Sequence, residues 1–317
     1  MIVHYYPEQV PEVHGCVLTV GTFDGVHVGH RRLIEQVVLQ ARRRHTSAVL
    51  LTFDPHPRQV IRSEQRPIKL LTTTDEKIQL LKPLGIDHVV VVRFTEAFSQ
   101  LSALAFVRDV LAKNFAPAAV VIGYNHQFGR HRDGNIELLR KLSVQFSFEV
   151  IEIERQLVGD VEASSTRIRL ALQEGDVRYA AQLLGYPYFL TGTVVAGRQL
   201  GRQLGFPTAN LQPSSADKLI PADGVYGVRV HIDEQPRCFA GLTAIGMRPT
   251  VQGRERTIET YLLDFNETEE LYGVRLRIEF LHFLRPERAF PSLDELVAAM
   301  KADEQLARQL PDLFVTT

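Results

Sequence analysis

Between residue 14 and about residue 155, short apolar runs alternate with segments of helical periodicity, and this rhythm constrains the fold more than any other feature of the chain. The pattern predicts strands at 16–21, 47–53, 87–93, 118–123 and 148–153, with helices at 29–44, 74–84, 102–114 and 134–143 between them. Leu101, Leu104, Ala105, Val107 and Leu111 illustrate the helical spacing. Such alternation implies an α/β fold, a doubly wound parallel sheet covered on both faces, with ligands held at the carboxyl ends of the strands. Gly21-Thr22-Phe23-Asp24, Thr52-Phe53-Asp54-Pro55-His56-Pro57 and Gly123-Tyr124-Asn125-His126 fall at such ends and are expected to share one cleft.

The first of these segments is the most informative. The apolar run Val17-Leu18-Thr19-Val20 passes through a glycine-bearing turn, Gly21 to Gly25, into His27-Val28-Gly29-His30. A helix follows, with Leu33, Ile34, Val37, Val38 and Ala41 on one face. A strand, a turn and a helix start present free backbone N–H groups and the positive end of the helix dipole, which favour phosphate. Two imidazoles there could grip a triphosphate, and Gly29 leaves room for close approach to the backbone. An isolated histidine pair is more often a solvated turn. Ser164-Ser165-Thr166, ahead of a second predicted helix and followed by Arg167 and Arg169, is another anion-binding arrangement, although alone it reads as an N-cap. Arg42-Arg43-Arg44-His45 sits where the first helix should end, so its cations are expected to complement the helix C-terminus.

The rhythm then changes. A helical region, Ser165 to Leu184, stops at Gly185-Tyr186-Pro187, which sets predicted domains of 1–185 and 186–317. Beyond it, strands are predicted at 188–195, 225–232, 237–245, 257–265 and 273–284, as in a small antiparallel β-barrel. A C-terminal helix is announced by Ser292 as N-cap with Glu295 three positions on. The phosphate loop G-x-x-x-x-G-K-[ST] and the dinucleotide fingerprint G-x-G-x-x-G are both missing. Instead Gly197, Gly201 and Gly205 recur every four residues, with Arg198 and Arg202 between them, in a loop able to close over polyphosphate. Thr208 and Asn210, two apart on an extended segment, present neutral oxygens on one side, which suits Mg²⁺ held mainly by nucleotide phosphates and water.

With 317 residues, 45% of them hydrophobic, the chain can bury two cores. A net charge of −1, from 36 basic and 37 acidic residues, argues against a dedicated nucleic-acid binder. Cys16 and Cys238 form no CxxC pair or metal-ligand spacing, so neither disulfides nor structural zinc are indicated. No apolar run approaches the roughly 20 residues that cross a bilayer, and Met1 to Val10 has no secretion-signal pattern. A cytoplasmic protein acting on small molecules is the expectation, with no membrane and no obligatory protein partner.

These residues resemble the bacterial bifunctional riboflavin kinase/FAD synthetase family. Gly21 to His30, Thr52 to Pro57 and Ser164-Ser165-Thr166-Arg167-Ile168-Arg169 look like its adenylyltransferase motifs, in order. Gly197 to Asn210, Pro221 to Tyr226, Ile245 to Thr250, Glu259 with Leu262 to Phe265, and Leu271-Tyr272-Gly273 look like its kinase motifs. The resemblance implies phosphorylation of riboflavin by ATP to FMN, then transfer of AMP from a second ATP to FMN, giving FAD and pyrophosphate, with Mg²⁺ for both. It implies that His27, His30 and Arg169 stabilise adenylyl transfer, that Glu259 is the base of the kinase, and that Thr208 and Asn210 hold Mg-ATP. It assigns ATP contacts to Gly21, Phe23, Gly29, Ser164, Ser165, Thr166, Gly197, Gly201 and Arg202, and flavin contacts to Pro55, His56, Pro57 and Asn125. Where the family commonly has an acidic residue and then an aromatic after Gly123-Tyr124, this chain has Asn125-His126. An amide keeps hydrogen-bonding capacity and loses a charge, so an altered contact, or at the extreme a kinase with a weakened adenylyltransferase half, is the alternative.

Overall fold

The computed structural model describes residues 1–61, 68–154, 157–197, 201, 204–233, 238–250, 253–265 and 270–314. Its contacts divide the chain into two units, Met1–Ser164 and Ser165–Thr317.

The first unit is built on a six-stranded parallel sheet in the order β1-β4-β3-β2-β5-β6. Its strands are β1 (Ile2–Tyr6), β2 (Val17–Val20), β3 (Ala48–Asp54), β4 (His88–Arg93), β5 (Ala119–Gly123) and β6 (Glu149–Ile153). Five lie within one residue of the predicted spans. The sixth, β1, pairs with the edge of β4 and escaped prediction because its exposure follows no apolar run. The central strands are buried on both faces, Val17 to Val20 and Val89 to Val92 throughout, as a sheet covered by helices requires. The helix α1 (Val28–Arg43) packs Leu33, Ile34, Val37 and Ala41 against it. Each of the three larger side chains contributes about 2 kcal/mol of transfer free energy. At its end Arg42 makes a two-pronged pair with Asp87 at 2.8 and 2.9 Å, and Arg44 pairs with Glu149. The basic run is therefore structural.

The remaining helices of this unit are α2 (Pro57–Val60), α3 (Thr74–Leu81), α4 (Glu96–Ser99), α5 (Ala103–Ala105), α6 (Lys113–Phe115) and α7 (Ile136–Phe146). Between α5 and α6 the helix runs on in π-helical form over Phe106–Ala112. A short hairpin, β7 (Leu157–Val158) and β8 (Val161–Glu162), follows.

The second unit opens with α8 (Ser165–Gln173) and α9 (Val177–Leu184). The single helical region read from sequence is thus broken, at Gly175 with φ 81° and at Asp176, whose carboxylate caps α9 through Tyr179 N at 2.9 Å. Leu172 O accepts from Ala222 N at 2.9 Å, which ties α8 to the barrel side of the chain. Gly185, at φ 78°, ends α9 as its glycine signalled. The barrel is closed in the order β10-β13-β12-β11-β14-β9. It comprises β9 (Phe189–Val195), β10 (Thr208–Pro213), β11 (Gly224–Ile232), β12 (Cys238–Thr250), β13 (Gly253–Leu262) and β14 (Arg275–Arg285). Val228, Val230, Ile258, Ile278 and Phe280 fill its interior. On the outside, α10 (Leu293–Arg308) sets Ala307 against Val225, Ala240, Leu242 and Leu263. The Ser292 hydroxyl accepts from Glu295 N at 3.2 Å, as predicted for its N-cap. Arg285 grips Asp303 of α10 at 2.7 to 3.1 Å, a structural role.

Candidate active sites

In the first sheet β3 and β5 lie on either side of β2, so the chain's strand order reverses there. The carboxyl end of β2 is therefore the switch point where a crevice opens. The turn that leaves it is tightly held. Phe23 and Val26 adopt positive φ, 48° and 37°, a cost of about 1 kcal/mol or more each for non-glycine residues. Burial of both side chains holds them there. The buried Asp24 carboxylate accepts from Leu71 N and Thr72 N at 3.0 Å, while the Thr72 hydroxyl accepts from Gly25 N at 3.1 Å. The turn is thus fastened to the segment that leads into α3.

His27 is the N-cap of α1, and its Nδ1 accepts from His30 N at 3.3 Å. An accepting Nδ1 places the proton of the neutral ring on Nε2, which makes that nitrogen a donor. The His27 and His30 rings stack with centroids 3.6 Å apart. The space left by the missing Cβ of Gly29 is filled by the His27 ring, whose nearest atoms would lie 3.2 Å from it. That glycine therefore serves the cap as well as the backbone's openness. Burial, then the charges of His27 and Lys77, hold the His30 imidazole well below its ordinary value, and its buried Nδ1 has no hydrogen-bond partner among the described residues. His30 is neutral at pH 7.

Lys77, on α3, was not singled out by any motif. It is 5% exposed, and its Nζ donates to Thr52 Oγ1 at 3.0 Å. Desolvation brings its ammonium down to about 8, against the opposing pull of Asp24 and Asp54.

At the end of β3, the His56 ring caps α2 by accepting from Arg58 N at 3.1 Å, and the side chain of Gln59 accepts from His56 N at 2.9 Å. Pro55-His56-Pro57 is thus a built turn beside the crevice. After β5, Asn125 is exposed, whereas the His126 ring stacks on Phe128 at 5.8 Å and burial lowers its imidazole to about 4. Phe128 continues through Phe106 and Phe98 to Phe94 and Phe53, a run of ring contacts 5.4 to 6.2 Å apart. Ser164 closes this unit; Ser165, Thr166 and Arg169 stand on α8 in the other.

In the second unit, strand register brings the kinase-like residues together. Asn210 is the direct cross-strand partner of Glu259, and Thr208 of Tyr261. Residues paired in this way share a face. Ala209 and Leu211 point into the core, so these four side chains lie on the outer face of the barrel. A Cβ on Gly197 would collide with the Asn210 carboxamide, and one on Gly201 with Phe206 O and the Thr208 hydroxyl. The missing side chains therefore let Gly197 and Gly201 approach Asn210 and Thr208 closely. Beside them is a cavity of about 250 Å³ lined by Thr208, Tyr261, Asp264, Phe265, Tyr272 and Arg308. Arg308 of α10 is held there by Asp264 at 3.0 Å and Glu304 at 2.9 Å. Arg198 and Arg202 lie outside the described residues.

A parallel sheet with two stacked histidines at the helix start beyond its switch point, followed by a closed barrel with Asn210 set across from Glu259, defines a two-part protein of α/β and β-barrel units. Residues 9–167 match the FAD synthetase family model and residues 184–311 the riboflavin kinase model. The chain is 37% identical over 302 residues to the bifunctional riboflavin kinase/FMN adenylyltransferase of Escherichia coli (strain K12), covering 95% of this chain and 94% of that protein. It is 38% identical over 293 residues to the enzyme of the same description from Listeria monocytogenes, covering 92% and 91%. A crystal structure described as a macrolide-efflux protein from Streptococcus pneumoniae superposes with a TM-score of 0.87 at 30% identity, covering 97% of this chain and 99% of that one. Among the described residues no helix is long and apolar enough to cross a membrane. The chain belongs to the bifunctional riboflavin kinase/FMN adenylyltransferase family.

Proposed function

We propose that this protein phosphorylates riboflavin with ATP to FMN on its barrel, and adenylylates FMN with ATP to FAD and pyrophosphate on its parallel-sheet unit. The observation that supports the reading is that two separate constellations, His27 with His30 and Thr208 with Asn210 and Glu259, stand in one chain, one in each family-matched segment.

In the adenylyl step the FMN phosphate is already ionised and needs no base, so catalysis is positioning and charge stabilisation. An FMN phosphate oxygen bonds to the α-phosphorus as the bond to the β-phosphate oxygen breaks, and the electron pair leaves with pyrophosphate. His27 Nε2 donates toward the phosphates, beside the neutral His30. The hydroxyls of Ser164, Ser165 and Thr166 and the Arg169 guanidinium are the further donors that the resemblance assigns, with Gly21, Phe23 and Gly29 forming the backbone of the turn. Pro55, His56, Pro57 and Asn125 would face the flavin, with the aromatic run from Phe53 to Phe128 as the apolar wall.

In the kinase step Glu259 takes the proton of the ribityl 5′-hydroxyl as its oxygen attacks the γ-phosphate. The neutral oxygens of Thr208 and Asn210, cradled beneath Gly201 and Gly197, fit a hard cation carried by nucleotide phosphates. Mg²⁺ bound there would neutralise charge on the transferring phosphoryl group. The cavity beside Thr208 would receive part of riboflavin.

Chromatography of the products from riboflavin, ATP and Mg²⁺, and separately from FMN, ATP and Mg²⁺, tests both steps. FAD is expected from both mixtures. Asn210→Ala should abolish riboflavin phosphorylation and spare FAD formation from FMN, whereas His30→Ala should do the reverse. A folded single variant that loses both activities would contradict two separate sites.

A further inference from the structure

We infer that Lys77 is a positioning residue of the adenylyl-transfer site, a buried fixed cation beneath the phosphate-binding turn that acts through Thr52 and on His30. The inference rests on the adenylyl-transfer reading of the first unit.

Three independent contacts lead to it. Lys77 Nζ donates to Thr52 Oγ1 at 3.0 Å, and the Thr52 hydroxyl donates onward to Thr22 O at 3.1 Å, inside the turn. Asp24, from the same turn, fixes the entry of α3 through Leu71 and Thr72. Thr73 and Glu76 then form a reciprocal cap, so α3 starts in one place and Lys77, one turn on, is delivered to Thr52. Asp24, Thr52 and Asp54 belong to the recognised motifs, yet no role follows for them from the resemblance; here they make the seat of a cation.

Burying an ammonium is costly unless something compensates it. The groups facing Lys77 are Asp24 from the turn, Asp54 from the end of β3, and His30 from α1, itself stacked on His27. Glu76, on the same helix, is occupied with Thr73 N at 2.9 Å. Asp24 already accepts from three donors, at 3.0 to 3.3 Å, and Asp54 is exposed. Among the described residues Thr52 is the only hydrogen-bond acceptor of Lys77. An ammonium fixed beneath the turn by Thr52 places a positive charge behind the backbone that the phosphates would meet, without itself touching them. Burial does most to hold the His30 imidazole neutral, and the charge of Lys77 adds to it and to His27 in opposing protonation.

The test uses the purified full-length protein and follows FAD formation from FMN, ATP and Mg²⁺ against pH, with kcat and KM separated. Lys77→Met removes charge and hydrogen bond; Lys77→Gln keeps a donor for Thr52 and removes only the charge. Both should lower kcat at least tenfold, within the range for loss of one electrostatic stabiliser, with smaller changes in KM. The wild-type kcat/KM, which reports the free enzyme, should fall as pH rises through about 8, to which burial lowers Lys77, and both variants should lack that limb. The His30 imidazole, followed by nitrogen NMR, should titrate at higher pH in the variants. Riboflavin phosphorylation by the same preparations should be unchanged. A wild type that makes no FAD would remove the adenylyl reading itself. Wild-type kcat in Lys77→Gln, or a flat wild-type kcat/KM profile between pH 7 and 9.5, would overturn the role of Lys77 and leave that reading standing; the kcat/KM profile decides even where a variant does not fold.

Discussion

At the level of single residues, two glycines show why side-chain absence matters at each site. Gly29 leaves its Cβ position to the His27 ring, and Gly197 leaves its own to the Asn210 carboxamide. Neither has an unusual φ, so an added methyl would act by displacement and not by backbone strain. Gly197→Ala should therefore push Asn210 aside and reduce riboflavin phosphorylation at least tenfold, in the range that misplacement by an ångström brings, while FAD formation from supplied FMN is unaffected. Steady-state assays of both reactions check this. Asn125 stands exposed beside the half-buried His126, whose ring stacks on Phe128, so the departure from the family's acidic-aromatic pair changes a surface contact on one side and packing on the other.

Among the elements, α3 and β10 matter most for function, and both depend on pairing rather than on propensity. The eight residues of α3 are too few to stand alone in water, so its cap and its link to Asp24 decide where it starts. Thr73→Ala should lower the stability of the first unit by about 1 kcal/mol, the usual cost of losing such a cap. Thermal unfolding followed by circular dichroism measures it, and adenylyl transfer should fall with it because Lys77 loses its register. β10 is held between β9 and β13, and that register is what sets Asn210 opposite Glu259. A slip by one residue would turn both to opposite faces.

On the scale of the whole molecule, the two reactions are carried by units that each have their own core. If the sites are independent, a mixture of the His30→Ala and Asn210→Ala proteins should convert riboflavin to FAD although neither does so alone. FMN released by the first protein would be used by the second, with a lag that shortens as protein concentration rises. Time courses of FMN and FAD resolved by chromatography check this. The family matches span both units, which favours the two-activity reading over a kinase with a weakened partner half.

Much of this was legible in the residues themselves. Periodicity gave the central parallel strands and five of the six barrel strands, β10 being the exception, because burial on a pleated or helical face repeats along the chain. The motifs marked His27, His30, Thr208 and Asn210, since phosphate chemistry demands those groups at close spacing. Tertiary structure alone decided the rest. The edge strand β1 has no apolar run of its own and exists because β4 offers a partner. Glu259 was named only by the family resemblance, and its place across from Asn210 is set by register. Lys77 reads as a solvated helix lysine, and only the packing of α3 under the turn buries it against Thr52. The physical reason is common to all three: local pattern records which face a residue occupies, whereas its chemistry depends on what a distant segment places against that face.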